Sequence, residues 1–436
     1  MNEPALANAT AQDVSAVYGM PAHEDRAAAV GEVHARPNLH IAAPRTVLQF
    51  AFMTEGDLSR DSAAMNSLSD PLGTALQGRT SPLHNMTWNE GDLHCEKHTE
   101  FSTYLWSTSL DSVTITPRGE NPFKHGFTPP GPVVCGIRLD VLPWTIDTEK
   151  LVRLFDPISL CFSEVEEGAA AIVTDFRQDD DGLTYILILD RGLTQQSAGA
   201  LAQRLIEIEN YRTLALLALP LTQSLVSDLR RTESRLAEIT EMMRFRTRRN
   251  SEVLLSELTD LAAELEASTV SSLYRFGASR AYFNIVEERL AALSEEAVSG
   301  YYTWQDFLLR RIAPAMRTCR TVKERQAKLS DKLTRSISLL RSWIDVEIER
   351  QNRDLLASMN NRARLQLRLQ QTVEGLSVAA VSYYVVSLLS YLLKGFPGIS
   401  EIVAPELAVT ALVPAVVLAI WWTARRIRHS HSDTKQ

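Results

Sequence analysis

Residues 376–393 read LSVAAVSYYVVSLLSYLL, a stretch of 18 residues without a charged side chain. A second uncharged stretch, residues 407–422, reads LAVTALVPAVVLAIWW. A helix needs about 20 apolar residues to cross the hydrocarbon core of a bilayer. Tilt and local thinning of the bilayer accommodate a slightly short stretch. We therefore predict two transmembrane helices, at about residues 376–394 and 402–423, in preference to two buried helices of a soluble domain.

Basic side chains flank this pair of predicted helices mainly on one side of the membrane. Three precede the first helix and three follow the second: Arg362, Arg364, Arg368, Arg425, Arg426 and Arg428. The connecting loop holds one, Lys394. Because basic residues favour the cytoplasmic side, both termini, including the basic tail 425–436, are predicted to be cytoplasmic. We therefore expect a multi-pass protein of the bacterial inner membrane, whose partner is the lipid bilayer.

The charge of the chain is divided unevenly along its length. Residues 1–200 carry 13 basic and 27 acidic side chains, whereas residues 201–436 carry 32 and 26. The net charge of −8 argues against a general nucleic-acid binder, so no nucleic-acid partner is expected. Four cysteines in 436 residues exclude a disulfide scaffold.

Residues 31–192 show the pattern of a mixed α/β head, preceded by a flexible N-terminus, residues 1–30. Runs of β-branched and aromatic residues predict six strands, at 45–54, 93–107, 112–116, 133–141, 168–176 and 183–190. A short helix is predicted at 148–155. Asp181-Gly182 between the last two strands is a hairpin signal, because glycine accepts a positive φ angle.

From Thr194 the apolar residues recur with a period near 3.6, which predicts a helical stalk over residues 193–374. Four helices are predicted, at 194–218, at 221–266, at 269–298, and from about 303 directly into the first membrane helix. Long helices with leucine seams and charged flanks pack as a coiled coil or bundle. The predicted fold class is α+β: a cytoplasmic head, a helical stalk and a two-helix transmembrane hairpin over residues 375–424.

The sequence lacks the common catalytic motifs. It contains no G-x-S-x-G, no phosphate-binding G-x-x-x-x-G-K-[ST], no H-E-x-x-H and no C-x-x-C. We therefore predict that the protein is not an enzyme and needs no cofactor, with a divalent metal ion as the one candidate ligand.

That candidate rests on Glu96, His98 and Glu100, which alternate along the predicted strand and would share one of its faces. Two carboxylates and an imidazole suit a divalent ion. The favoured alternative is the solvated polar face of a half-buried strand.

A second candidate motif is formed by His34, Arg36 and Pro37. Proline favours an extended conformation for the residue before it, so His34 and Arg36 would share a face. Arginine suits a carboxylate or phosphate partner. Pairing of Arg36 with an acidic strand residue is favoured over an anion site.

Polar residues also mark the start of the first predicted membrane helix. Glu374 stands at the membrane boundary, and Ser377, Tyr384 and Ser387 form a polar stripe that lines a pore or seals a helix pair. The preceding residues, 351–371, alternate amides and arginines with leucines, which favours packing against identical copies in a homo-oligomer.

Several stretches resemble a family of bacterial, membrane-anchored proteins of unknown function. They include E-V-H-A-R-P at residues 32–37, C-E-K-H-T-E-F at 95–101 and I-E-I-E-N-Y-R at 206–212. Further stretches are R-R-I-A-P-A-M-R-T-C at 310–319, Q-N-R-D-L-L-A-S-M at 351–359 and Q-T-V-E-G-L-S at 371–377. The resemblance covers residues 30–395 and implies a membrane anchor, but no activity.

The overall architecture is also similar to CorA-type magnesium channels. Those carry Gly-Met-Asn after the first membrane helix, where this chain has Lys394-Gly395-Phe396. The function expected first is therefore a non-enzymatic, oligomeric membrane protein with a scaffold or sensor role. A CorA-like divalent-cation channel or transporter is the alternative.

Overall fold

The computed structural model describes residues 16–18, 20–26, 39–69, 83–110, 121–124, 126–144, 148–244, 251–394 and 405–432. The chain divides into two compact units, Met1–Ser336 and Ile337–Gln436. The predicted boundary between head and stalk, at residue 192, falls inside the first unit. The architecture is α+β, as the sequence predicts.

The described strands and helices follow one another along the chain. The strands are β1 (Ala16–Val17), β2 (Met20–Pro21), β3 (Arg45–Met53), β4 (Leu83–Trp88), β5 (Gly91–Lys97), β6 (Phe101–Ser109), β7 (Val133–Pro143), β8 (Cys161–Val165), β9 (Ala170–Thr174), β10 (Thr184–Asp190) and β11 (Glu296–Ala297). The helices are α1 (Leu58–Ser69), α2 (Thr148–Val152), α3 (Gln195–Leu216), α4 (Ala218–Arg244), α5 (Ser251–Ala291), α6 (Trp304–Lys394) and α7 (Pro405–Ser432).

A mixed sheet forms the centre of the first unit. Its nine described strands lie in the order β11-β8-β9-β10-β7-β3-β6-β5-β4. Neighbouring strands are antiparallel except β10 and β7, which run parallel. The predicted hairpin between β9 and β10 is confirmed: Gly182 has a φ of +78°, and the Asp179 carboxylate accepts hydrogen bonds from Asp181 N and Leu183 N.

Helices cover both faces of this sheet. On one face, α3, the end of α5 and the start of α6 bury alternate residues of β3, β7 and β10, such as Val47, Leu139 and Ile188. On the other, α1 covers β3, β5 and β6, while α2 covers β9 and β10. Burial on both sides explains why β9 reads AAIVT, without polar alternation.

The helices of the first unit differ in part from the prediction. The start of α3 is confirmed, since the Thr194 hydroxyl accepts a hydrogen bond from Ser197 N at 3.1 Å. The single helix predicted over 221–266 is wrong. Arg235 of α4 donates to Glu257 of α5 at 2.7 Å, and residues 22 apart on one helix would lie about 33 Å apart. The helix boundary predicted between 266 and 269 is also wrong, because α5 continues through it.

The second unit contains the end of α6 and all of α7. Among the described residues, one helix, α6, is long and apolar enough to cross a membrane, and its most apolar segment is almost entirely exposed. Within α7 the apolar part, Leu412–Thr423, is shorter. The predicted polar stripe lies on α6, where Ser377 and Tyr384 are exposed and Ser387 is half-buried.

Candidate functional site

A cavity of about 80 Å³ lies between α3 and the strands β3, β5 and β6. Nine of the thirteen residues that line it are polar: Gln49, His94, Glu96, His98, Thr103, Gln203, Glu207, Asn210 and Tyr211. The apolar part of the lining is Leu39, Phe101, Leu105 and Ile206. Such a concentration of polar groups beneath a helix is unusual for the interface between a sheet and its covering helix.

Strand register determines which side chains meet in the cavity. Leu105 of β6 lies opposite Gln49 of β3 on one side and His94 of β5 on the other. One step along, Thr103 lies opposite Glu96. Because side chains alternate across a strand, His94 and Glu96 face α3 while Cys95 points into the opposite core.

The helical wall comes from one face of α3. Residues 203, 206, 207, 210 and 211 recur at three and four positions, which places them on the same side of the helix. Glu207 is held by two donors: Arg289 Nε of α5 at 2.5 Å and Gln203 Nε2 at 3.2 Å. Tyr211 stacks on Tyr282 of α5 with ring centroids 5.5 Å apart.

Two amide oxygens in this lining are buried without a hydrogen-bond partner. They are Gln49 Oε1 and Asn210 Oδ1, on side chains that are 1% and 5% exposed. A buried acceptor that lacks a donor costs roughly 1–3 kcal/mol of stability. Both side chains belong to the lining of the cavity, but the two oxygens themselves are occluded.

His94 contributes a third acceptor. Burial lowers the pKa of its imidazole, so the ring is neutral at pH 7. His94 Nδ1 lies 2.8 Å from Asn85 Oδ1. With Nδ1 as the donor in that contact, Nε2 is left as an acceptor.

Of the three predicted metal ligands, Glu96 and His98 lie close together and Glu100 is held elsewhere. The strand predicted over 93–107 is wrong, because β5 ends at Lys97 and a turn leads into β6. His98 Nε2 lies 3.8 Å from Glu96 Oε1, and its ring stacks on Phe101. Glu100, on the turn, is bound by residues of α5. Among the described residues, no group of three or more His, Cys, Asp or Glu side chains is arranged to hold a metal ion.

Glu100 instead anchors the turn to α5. Arg275 donates to its two carboxylate oxygens at 3.0 and 3.2 Å, and the Tyr282 hydroxyl donates at 2.9 Å. Burial, followed by the negative charge of Glu100, raises the pKa of Tyr282, so this hydroxyl stays protonated and able to donate. The side chain of Glu100 is 4% exposed, so its role in the structure is a buried ion pair.

One protein-family model covers most of the chain. The model of DUF3422, described as a protein of unknown function, matches residues 21–431. The chain belongs to the DUF3422 family. A search of curated proteins found no match.

Membership in DUF3422 confirms the predicted resemblance to a family without an assigned activity. Two of the stretches that suggested this resemblance meet at the cavity. Residues 95–101 supply Glu96, His98 and Phe101, and residues 206–212 supply Glu207, Asn210 and Tyr211. The motif with His34, Arg36 and Pro37 lies outside the residues that the structure describes.

Two residues in the cavity of this DUF3422 protein, Gln49 and Asn210, were not predicted from the sequence. One signal was available for Gln49, which interrupts the apolar strand RTVLQFAFM at a position facing the same side as Val47 and Ala51. A glutamine on the buried face of a central strand normally has a hydrogen-bond partner, so its presence indicates a polar site there. For Asn210, the helical period shows on which face of α3 the residue lies, but not which strands that face covers.

Proposed function

We propose that this chain is a non-enzymatic, membrane-anchored protein with a scaffold or sensor role. Its α+β head lies in the cytoplasm, and its C-terminal helices lie in the bilayer. The observation that carries the proposal is the exposed apolar surface at the end of α6. Leu376, Tyr383, Leu388 and Leu392 are 57–74% exposed. A continuous apolar surface of this kind is unfavourable in water and marks a membrane or protein interface.

A two-helix hairpin explains the pattern of charges around this surface. The second helix is the apolar part of α7, where Leu418, Trp421 and Trp422 are exposed. Trp421 and Trp422 adjoin Arg425 and Arg426, an arrangement typical of the cytoplasmic interface of a membrane helix. Both termini are then cytoplasmic, and the connection between the two helices is on the outside.

The same reasoning supports self-association through α6. Before the membrane segment, eleven apolar side chains of α6 are 46–67% exposed: Leu339, Trp343, Val346, Ile348, Leu355, Leu356, Met359, Leu365, Leu367, Leu369 and Val373. The segment also carries Arg362, Arg364 and Arg368, which makes it too polar for the bilayer core. Identical helices in a symmetric oligomer would cover the apolar side chains and leave the arginines at the rim.

The CorA-like channel remains an alternative without a specific observation in its favour. The Ser377 hydroxyl donates to Val373 O of its own helix at 2.9 Å, which is the ordinary state of a serine in an apolar helix. A role of Glu374, Tyr384 and Ser387 in a pore belongs only to this alternative.

The proposed topology is tested by cysteine labelling in intact cells. The four native cysteines are buried, and burial raises the pKa of Cys95 and Cys135, so their background reactivity is low. We expect Gly398→Cys to react with an impermeant maleimide in intact cells. Thr434→Cys and the exposed head position Gln196→Cys should react only after the membrane is opened.

Two results would contradict this topology. Labelling of Gly398→Cys and Thr434→Cys from the same side would remove the hairpin. Recovery of the unlabelled full-length protein in the soluble fraction, without detergent, would remove the membrane anchor altogether.

A further inference from the structure

We infer that an open recess between α3, α6 and the loop after β9 binds a small organic anion. The inference concerns the first unit alone and does not depend on the membrane anchor. The recess has a volume of about 290 Å³, close to the lower end of the roughly 300–1,000 Å³ of ligand pockets. Five of its ten lining residues are apolar, and three of the other five are arginines: Arg177, Arg212 and Arg311.

Two of the three arginines are held by carboxylates that do not belong to the described lining. Arg177 Nη2 lies 2.6 Å from Asp156 Oδ2, and the Arg177 side chain is 65% exposed. Arg212 donates from Nε to Glu209 Oε2 at 2.7 Å and from Nη2 to Glu209 Oε1. Each pairing fixes a guanidinium group in the wall of the recess and uses only part of its five N–H donors.

Arg311 of α6 is the least engaged of the three arginines. It is exposed, and its guanidinium carbon lies 3.6 Å from the centroid of the Phe307 ring. Its Nη1 donates to Phe307 O at 3.2 Å. Within the part of the chain that the structure describes, Arg311 forms no ion pair with a carboxylate. Most of its N–H groups are therefore left for solvent or a ligand.

The other polar side chains of the lining, Ser159 and Asp175, offer few acceptors for these donors. Asp175 Oδ1 accepts a hydrogen bond from Arg177 N at 3.0 Å, and its Oδ2 accepts one from Asp156 N at 2.9 Å. The Ser159 hydroxyl donates to Asp156 Oδ2 at 3.2 Å. A ligand that complements the recess must therefore bring acceptors.

Carboxylates around the recess offset much of its positive charge, so the preference for an anion comes from hydrogen bonding. Hydrogen bonds to ionised groups are shorter than neutral ones and about twice as strong. The planar fork of arginine matches the geometry of a carboxylate or a phosphate group. A ligand with such a group would engage the remaining N–H groups of Arg311 and Arg177 more strongly than a neutral acceptor would.

The floor of the recess is apolar and restricts the rest of the ligand. Phe176 and Phe307 stack with ring centroids 5.3 Å apart, and Leu308 and Ile312 are 2% exposed. Phe176 has a φ of +58°, a backbone conformation that is rare for a bulky residue and is concentrated at ligand sites. The ligand class is therefore a small apolar or aromatic body that carries a carboxylate or phosphate group.

The first experiment compares probes of similar size that differ in charge. Benzoate carries a carboxylate on an aromatic ring, benzamide is its neutral isostere, and phenyl phosphate has a phosphate group in place of the carboxylate. Each is titrated calorimetrically into the full chain in a nonionic detergent at about pH 7.5. We expect one molecule of benzoate or phenyl phosphate to bind per chain, at least about tenfold more tightly than benzamide. The ratio between the two anions shows which headgroup the recess prefers.

The second experiment removes one guanidinium group at a time from exposed positions. Arg311→Gln should bind the preferred anion at least about tenfold more weakly, and Arg177→Gln at least about threefold, because charge-assisted hydrogen bonds are lost. The affinity for benzamide should not change. Arg320→Gln is the matched control and should bind as the parent does. Arg320 is exposed on α6 about two and a half turns beyond Arg311, on the opposite side of the helix.

Three results would overturn the inference. The first is the absence of binding heat and of any thermal shift with millimolar benzoate and phenyl phosphate. The second is equal affinity for the two anions and benzamide, which would make the recess an apolar pocket only. The third is binding as in the parent by both Arg311→Gln and Arg177→Gln, which would locate the anion elsewhere. If one of these two variants fails to fold, the other decides the third point alone.

Discussion

The two units of the chain use the same apolar side chains in opposite ways. In the first unit, Leu187, Ile188 and Leu189 of β10 are fully buried between helices on both faces of the sheet. In the second, Leu355 and Leu356 of α6 are 59% and 63% exposed. The first unit covers its own core, whereas the second presents apolar surface with nothing in the described chain to cover it. A leucine count cannot distinguish a core from an interface.

The contrast is sharpest within α6 itself, because one helix contributes to both units. Near its start, Trp304 and Leu308 are at most 2% exposed and pack against the sheet. Past residue 337, apolar side chains of similar size are mostly exposed. Secondary structure is constant along this helix, so the difference between the units lies in their tertiary surroundings.

The largest expected effect comes from one substitution made in both units. Leu187→Ala should lower the free energy of unfolding of the first unit by about 2–5 kcal/mol, since it removes a fully buried side chain. Leu356→Ala should change it by less than about 0.5 kcal/mol, as for an exposed position. Denaturant unfolding followed by near-UV circular dichroism measures both variants.

The same pair of variants tests self-association. Light scattering in detergent should show that Leu356→Ala has a smaller mean mass than the parent at equal concentration, while Leu187→Ala does not. Loss of stability in Leu356→Ala, with no change in mass, would mean that this segment is covered within its own chain, and the contrast between the units would disappear.

A smaller effect is expected at the buried ion pair of the first unit. Glu100→Gln keeps the shape of the side chain but leaves Arg275 without its carboxylate partner, at a cost of about 3 kcal/mol. Glu349→Gln is the matched control from the second unit. Its partner Arg353 lies 3.6 Å away, and both side chains are about 70% exposed, so no measurable change is expected. Equal effects in the two variants would show that burial does not set the strength of these pairs.

The smallest effect is pH-dependent and concerns the contact of α4 with α6. Hydrogen bonds from Arg325 lower the pKa of Glu233 below its usual 4.5. Because the folded state holds the proton less tightly than the unfolded state, the pair stabilises the fold above pH 4.5, and this contribution is lost as the pH falls through the lowered value. The gain is about 0.2–1 kcal/mol, since both side chains are about one third exposed. The stability difference between the parent and Glu233→Gln should shrink below pH 4.5. If the difference instead grew on acidification, folding would raise the pKa of Glu233 rather than lower it.

Strands whose two faces are buried were the easiest part of the fold to predict. Arg45–Met53, Val133–Pro143 and Thr184–Asp190 lie within a residue or two of their predicted bounds, because β-branched and aromatic residues fill them. The edge strand Leu83–Trp88 was missed. It reads LHNMTW, and a strand with only one neighbour needs less apolar surface.

The cavity could be predicted only in fragments. The alternation of His94 and Glu96 indicated a polar strand face, but the turn at residues 98–100 lacks the Gly, Pro or Asn that would mark it. Likewise, Glu100 was grouped with its sequence neighbours, whereas its partner Arg275 lies 175 residues away. Contacts over such distances depend on how α3 and α5 cross the sheet, which local periodicity does not contain.

The segment around Leu39 is held against α3 by its main chain. Leu39 is part of the lining, and its carbonyl oxygen lies so close to Gly199 of α3 that a Cβ atom there would be 1.6 Å away. Ile41 N donates to Gln195 O at 3.0 Å and holds the segment along the start of the helix. Main-chain contacts of this kind do not depend on which side chains the segment carries. A substitution at residue 40 should therefore be tolerated, whereas any larger residue at position 199 would push this segment off the helix.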